Sequence, residues 1–484
     1  MDMEHGIPLE HTEGLGLGQA GDIDPWLGRS FYCESCGKDH AVPIRRVVID
    51  RGALAVLPSY AQERGLRSLL LVCDRRTAEA AGEALLERCR EAQLEAKLVV
   101  LTEDEHGELA ADERAIVQLL LHVDAASQAI VAVGSGTIHD IVRFAAFKTD
   151  RVFLSVPTAS SVDGFASVGA PLILGGFKQT IPACAPEAVF ADLALLAGAP
   201  QVMTAAGFGD MLGKYTSLAD WELGRVLLDE HVCELAAEMT RQALARCIDH
   251  VDEIAAGSEE GQRRLMEGLI LSGISMLIVG HSRPASGAEH HLSHFWEMRF
   301  LQARRRALLH GAKVGAAAVR MAGLYAQAAE LDAETVRTAA LRRLCDPVFL
   351  SPAEAEAAIA QAYGPLADQV RAENAAELEP ASREALLRGL GERLASRWDA
   401  VQAVCRSVPA PEQLADWLGR AGGPVTEAEL GVEPELVEQS LRYAKYVRSR
   451  YTILRLQEWL SAVSYGREHA GVAVPAQQPL PQTE

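Results

Sequence analysis

The residues best equipped for chemistry sit in three segments of the second half of the chain. Glu289-His290-His291-Leu-Ser-His294 crowds three histidines into five positions of a chain that has only 14. His290 and His294 stand four residues apart, so a helix puts both on one face. Gly207-Phe-Gly-Asp210-Met-Leu-Gly-Lys214 offers an acid at an expected helix start. Leu308-Leu-His310-Gly311 offers a further histidine where another helix begins. Two imidazoles and one carboxylate make a site for zinc, nickel or iron with positions left open for substrate. Each residue also has a plainer reading, Asp210 as a helix cap and a single histidine as an ordinary surface or core residue.

A second chemistry is written in the first half. The run Ala129-Ile-Val-Ala-Val-Gly134-Ser-Gly-Thr-Ile138-His-Asp140 places a buried strand directly before Gly134-Ser135-Gly136, with a helix beginning near Thr137. Glycines there let the backbone approach a pyrophosphate, whose charge the helix N-terminus favours. The third glycine of the usual dinucleotide fingerprint is missing, so an ordinary Rossmann domain is not indicated. Leu69-Leu-Leu-Val-Cys-Asp74 ends a strand in an acid that suits a ribose or, equally, a helix cap. Phe153-Leu-Ser-Val-Pro-Thr158-Ala159-Ser160-Ser161-Val-Asp163-Gly-Phe-Ala-Ser167 runs a strand into a loop of small donors with one carboxylate. Cys33-Glu-Ser-Cys36 with His40 could be half a zinc site, but no second Cys-x-x-Cys follows, which favours a plain strand-and-turn element.

These residues need elements to hold them, and the pattern of elements changes once. From about 41 to 200, short apolar runs (Arg46–Ile49, Leu69–Val72, Lys97–Leu101, Ala129–Val133, Val152–Val156) alternate with stretches of helical spacing such as Ala78–Ala92 and Ala110–Leu121. Alternation of this kind implies a parallel, Rossmann-like sheet with helices on both faces. After about 200 the strand signals disappear into long Ala-, Leu- and Glu-rich stretches, among them Arg225–Ala256, Glu259–Val279, Ala312–Leu331, Thr335–Leu344, Pro352–Tyr363 and Leu436–Leu460. The expected organisation is an α/β nucleotide-binding domain over 41–200 followed by an all-α metal- and substrate-binding domain over 201–465. Residues 1–40 read as an N-terminal arm, flexible or loosely docked through its first thirty positions, and 466–484 as a disordered tail. Function belongs in the cleft between the halves, near the carboxyl ends of the strands.

Bulk properties narrow the function classes. The 484 residues are 49% hydrophobic and 23% charged, as in a globular protein, and aromatic residues are only 5%. A net charge of -20 argues against nucleic acid and anionic lipid as partners. No apolar window reaches the roughly 18 residues that span a bilayer. The acidic, Gly-rich start does not resemble a signal peptide. Nine scattered cysteines do not form a disulfide framework, so a reducing cytoplasm is the default expectation.

Together these segments resemble the metal-dependent alcohol dehydrogenase and dehydroquinate synthase superfamily, and within it the glycerol-1-phosphate dehydrogenase branch of the bacterial type. The resemblance rests on Gly134–Asp140, Val156–Ser167, Gly207–Lys214, Ala219-Asp-Trp-Glu-Leu223, Ser282-Arg-Pro-Ala-Ser-Gly-Ala-Glu-His-His-Leu-Ser-His294 and Leu309-His-Gly311. It covers roughly residues 41–330. It implies that Asp210, His290 and His310 hold one divalent metal ion, zinc or nickel. His290 is preferred to His291 because the family pattern places a second histidine four residues after the ligand. His294, Asp163 and Asp210 are then implied substrate contacts, and Asp74, Gly134, Ser135, Gly136, Thr137, Ile138, Thr158, Ala159, Ser160, Ser161 and Ser167 nucleotide contacts. Ser135 departs from the wider superfamily, which usually has glycine there.

The implied reaction is reversible reduction of dihydroxyacetone phosphate to sn-glycerol 1-phosphate by NADH or NADPH, serving glycerolipid synthesis, in a homodimer. Asp74 leans towards NAD, because its carboxylate repels a 2′-phosphate. His294 or a bound water is a candidate proton donor. For the substrate phosphate, the metal, helix N-termini, Lys214 and Arg283 are candidates. A glycerol dehydrogenase, a dehydroquinate-synthase-like NAD-dependent phosphate lyase and a non-catalytic binding protein are the rival readings.

Overall fold

The structure is a computed structural model that describes residues 10–11, 16–104 and 107–464. The expected tail and most of the expected arm before Gly16 lie outside the described residues. The strands in chain order are β1 (Glu10–His11), β2 (Arg29–Cys33), β3 (Lys38–Val42), β4 (Arg46–Asp50), β5 (Ser68–Cys73), β6 (Glu95–Val100), β7 (Ala129–Gly134), β8 (Val152–Pro157), β9 (Gly169–Leu174), β10 (Phe177–Pro182) and β11 (Ala188–Asp192).

Six of them form one parallel sheet in the order β4-β11-β8-β7-β5-β6. A parallel sheet covered on both faces needs apolar residues on both, and β7 is buried at every position. Alternation then sorts the side chains. Leu70, Val72, Ile130 and Ala132 pack on one face with Ile141 and Phe153, while Leu69, Leu71, Val131 and Val133 pack on the other with Leu57 and Phe190. The fold is thus an α/β sheet region followed by a mostly helical region, as the alternation of elements implies. Two pieces of the first region depart from that alternation. β11 is a further strand, and β9 and β10 form an antiparallel hairpin closed by Gly175 and Gly176, both at positive φ (58° and 79°).

The helices that matter for the site are α1 (Gly136–Thr149), α2 (Gln201–Leu228), α3 (Glu234–Asp249), α4 (Glu259–Val279), α5 (Ala288–Gln302) and α6 (His310–Ala329). The expected helical stretch Arg225–Ala256 is broken. Asp229 takes a left-handed conformation (φ 56°, ψ 30°) and ends α2, and α3 restarts with Cys233 as its N-cap. Leu436–Leu460 is likewise split, into helices Pro434–Tyr443 and Ile453–Ser464. From α6 onward the helices bury a second core around Trp296, Tyr325, Trp398 and Trp459.

The start of the chain also differs from a loose arm. Trp26 is fully buried and meets Phe31 at 5.1 Å between ring centroids. Both join Phe208, Leu269 and Cys233 in one core cluster. Phe31, Cys33 and His40, Val42 point inward at every second position of β2 and β3, so the hairpin has an apolar face that must be covered.

Candidate active site

Long α2 is buried along most of its length, and its glycines decide what can lie against it. A Cβ on Gly207 would collide with the Ser160 carbonyl, and one on Gly311 with the Ala206 carbonyl. Backbone therefore meets backbone on two sides of α2. On one side sits the loop after β8; on the other, the first turn of α6. Asp210, in the middle of α2, is caught between them.

Asp210 is fully buried, and its Oδ2 accepts the Asp163 backbone N–H at 3.0 Å. Its ligand oxygen lies with a nitrogen of His290, in α5, and one of His310, at the start of α6, within a mutual 4.8 Å. His290 Nε2 is 3.6 Å from Asp210 Oδ1, and the rings of His290 and His310 are 5.1 Å apart. His291 belongs to no such group; it is buried with both ring nitrogens unpartnered. Helix phase turns His290 towards Asp210 and His291 away.

The surroundings fit a cation. His290 Nδ1 donates to Glu289 Oε1 at 2.7 Å, which leaves Nε2 free to act as a ligand. Glu289 is itself held by Thr216 Oγ1 and the Gly287 N–H, both at 2.6 Å. Burial works to raise the Glu289 carboxyl, but these bonds hold it below the usual range. Burial also pushes His310 far below the ordinary imidazole value, and neutral imidazole is the form that ligates. Asp163 and Asp210 share one buried ammonium, Lys214, at 2.8 and 3.1 Å. A divalent ion would settle that excess of negative charge. Against its burial, Lys214 and the Ser272 hydroxyl (2.9 Å) keep Asp163 ionised, below its ordinary value.

The cluster opens onto a cleft of about 700 Å³ between the sheet and the helices. Ser135, Gly136, Thr137, Ser161, Asp163 and Ser167 line it, as do His290, His294 and His310. Gly134 ends β7 directly beneath, where a Cβ would collide with Ile138. Other expected nucleotide residues stand elsewhere. Ile138 is core. Ser160 donates to Gln262 at 2.8 Å, away from the cleft wall, which Thr158 and Ala159 do not line either. Asp74 is a helix cap, its Oδ1 accepting the Thr77 N–H at 2.7 Å, and it too is outside the cleft lining.

The phosphate candidates need correction. Lys214 is wholly buried and spent on Asp163, Asp210 and the Ala285 carbonyl. Arg283 pairs with Glu230 at 3.3 Å and does not line the cleft. The cations that do line it are others, chiefly Lys178 from β10, Lys313 from α6, and Arg448 and Arg450. Lys178 and Lys313 both grip Glu297, at 2.8 and 3.1 Å, beside His294. Burial lowers Lys313 to about 8 and His294 to about 3. No local motif marks these lysines. They sit in a hairpin and inside a helix, and only the fold brings them together.

Known proteins complete the picture. The profile of the iron-containing alcohol dehydrogenases matches residues 48–200. The chain is 41% identical to the glycerol-1-phosphate dehydrogenase (NAD(P)+) of Bacillus subtilis (strain 168), over 86% of this chain and 91% of that protein. It is 39% identical to the enzyme of the same name from Geobacillus stearothermophilus, over 87% of this chain and 94% of that one. Among solved structures, a probable glycerol dehydrogenase from Sinorhizobium meliloti 1021 superposes with a TM-score of 0.56 at 16% identity, covering 87% of this chain and 97% of that one. A glycerol dehydrogenase from Schizosaccharomyces pombe gives 0.54 at 14%, covering 87% and 89%. At such identities the structural likeness speaks for the fold alone.

Proposed function

The chain belongs to the family of glycerol-1-phosphate dehydrogenases, and from that premise we propose that it reduces dihydroxyacetone phosphate to sn-glycerol 1-phosphate, reversibly, with NADH or NADPH. The observation that carries this reading is the meeting of buried Asp210 with His290 and His310, two histidines that line a cleft also holding the Gly136 helix start and a lysine pair.

Asp210, His290 and His310 would hold a divalent ion, zinc or nickel. When bound, that ion supplies Lewis acidity towards the substrate carbonyl and the nicotinamide supplies the hydride. The chain supplies placement. Glu289 keeps His290 in the tautomer with a free Nε2, and the Asp163 N–H fixes the Asp210 carboxylate. The N-terminus of α1, at Gly136 and Thr137, offers backbone N–H groups to the pyrophosphate of the nucleotide. His294, partly buried and neutral, would offer one directed hydrogen bond to the substrate from its place beside Glu297. Lys178 and Lys313, with Arg448 on the same wall, would take the phosphate, and Glu297 offsets the mutual repulsion of the two ammonium groups when no anion is there.

That lysine pair favours a phosphate ester over glycerol as the substrate. The test is NADH oxidation by the zinc- or nickel-loaded protein with dihydroxyacetone phosphate and with dihydroxyacetone. Fast turnover of the phosphate ester alone, giving the sn-1 product, supports the reading; preference for dihydroxyacetone overturns it. Lys313→Ala should raise KM for the phosphate ester at least tenfold while leaving the feeble turnover of dihydroxyacetone unchanged. Loss of kcat with both substrates at constant KM would remove Lys313 from the phosphate site.

A further inference from the structure

A second group of ligand-type side chains stands apart from the cleft and shares no residue with it. Cys33 ends β2, Cys36 lies in the turn to β3, His40 is in β3, and Cys233 is the N-cap of α3. One ligand atom from each lies within 4.8 Å of the others, although Cys233 is 200 residues from Cys33. We propose that these four residues form a structural zinc site that clamps the N-terminal hairpin to the start of α3.

The geometry suits tetrahedral zinc. Cys33 Sγ and Cys233 Sγ are 3.9 Å apart. Four ligands at a zinc–sulfur distance of about 2.3 Å put neighbouring sulfurs about 3.8 Å apart. A disulfide would need about 2.05 Å. His40 is 4% exposed and its Nε2 is buried without a hydrogen-bond partner, an expense that a ligand role would repay. The turn is shaped to present Cys36. Gly37, at φ +65°, closes it through its N–H on the Cys33 carbonyl at 2.8 Å. Ser35 Oγ accepts the Glu234 N–H at 2.9 Å, tying the turn to the first residue of α3. Cys233 stands at the positive end of a 16-residue helix, which favours a thiolate. His231 Nε2, 3.3 Å from Cys36 Sγ, is placed to donate to a second one.

Binding is a simple exchange. Each thiol gives its proton to solvent as its sulfur–zinc bond forms, His40 ligates as the neutral ring, and nothing is oxidised or reduced. The break at Asp229 acquires a purpose here, because an unbroken helix would not place a cysteine at a helix start beside the hairpin. The clamp would add one bond set to the apolar attachment that Trp26 and Phe31 already make.

The test uses full-length protein with His310→Ala, which empties the cleft of metal and leaves this site alone. One zinc per chain, retained through dialysis against EDTA and released by a mercurial as three thiols react, is the expected result. Cobalt in its place should give an intense near-ultraviolet thiolate-to-cobalt band, which the cleft's nitrogen and oxygen ligands cannot produce. In Cys36→Ser, zinc and band should both fall to background. Background zinc in the folded His310→Ala chain after preparation with zinc present overturns the proposal. So does a Cys33–Cys233 disulfide in the mass spectrum of freshly prepared protein. Because none of these readings involves turnover, they stand or fall separately from the dehydrogenase reading.

Discussion

Glu289 illustrates how much the proposed metal ligand His290 owes to the residue beside it. Its carboxylate holds the proton of His290 Nδ1 and is itself pinned by Thr216 and Gly287. Replacing it with glutamine keeps the shape but removes the charge that, in the proposed site, strengthens His290 as a ligand. Glu289→Gln should weaken metal binding roughly 10- to 100-fold, measured by competition with a chelator. Unchanged affinity would mean that His290 does not depend on this carboxylate. At this scale the sequence is informative about type and poor about direction. Asp210, His290 and His310 stand out because histidine is scarce and crowded, and their motifs are local. Spacing within the motif leaves His290 and His291 alike; the family resemblance prefers His290, and the phase of α5 turns that residue towards Asp210. Lys178, Lys313 and Glu297 had no such signal, since nothing in their immediate neighbours distinguishes them from solvated charges.

At the scale of elements, the contact of α6 with α2 is the critical one. His310 is the first residue of α6, and Gly311 rests on the Ala206 carbonyl. Gly311→Ala forces the two backbones apart. We expect a loss of about 1–3 kcal/mol of stability from the overpacking, seen as a lower Tm, together with loss of bound metal from the cleft. A variant with normal metal content would show that α6 can shift without moving His310. Of the six parallel strands, β4, β5, β6, β7 and β8 were legible as short apolar runs between helical stretches, whereas β11 was not read. The hairpin β9–β10 was not read, although Gly175-Gly176 between two short extended runs is its signal; Pro171 and Pro182 obscured it. The Cys33–Cys233 pairing is out of reach of any local pattern, since it depends on where the chain brings α3.

Across the whole molecule, many histidines are stored in the neutral form. Burial lowers His139 to about 3 and His281 to about 4, although His139 is fully hydrogen-bonded to the Ser135 carbonyl and Ser155 Oγ. The folded value lies below the unfolded one near 6.5, so the unfolded chain binds the proton more readily. Stability from these groups is therefore complete above pH 6.5 and drains away as pH falls towards 3. Tm should decline between pH 7 and pH 5 in the presence of a chelator, and His139→Gln should decline less steeply from a lower starting point. Equal slopes would exclude His139 from the acid response. Bulk composition pointed to a globular chain, and the alternation of apolar runs with helical stretches to an α/β first part with a helical second part. It could not show that the segment around Trp26 and Phe31 is packed, because they are isolated aromatics in a polar, Gly-rich stretch and become core only when the hairpin forms.

The order of strands in the central sheet bears on how this protein is made. β4 lies at one edge and pairs only with β11, whose residues follow it by some 140 positions along the chain (Arg46 opposite Ala188). On a ribosome, β5, β6, β7 and β8 can assemble as they emerge, but β4 has no neighbour until Asp192 has been delivered. For most of the synthesis of the first half, an early strand waits and the flank of β8 stands open. The growing chain therefore carries two unpaired strand edges during this interval, and pairing of β4 must wait until β11 has left the ribosome.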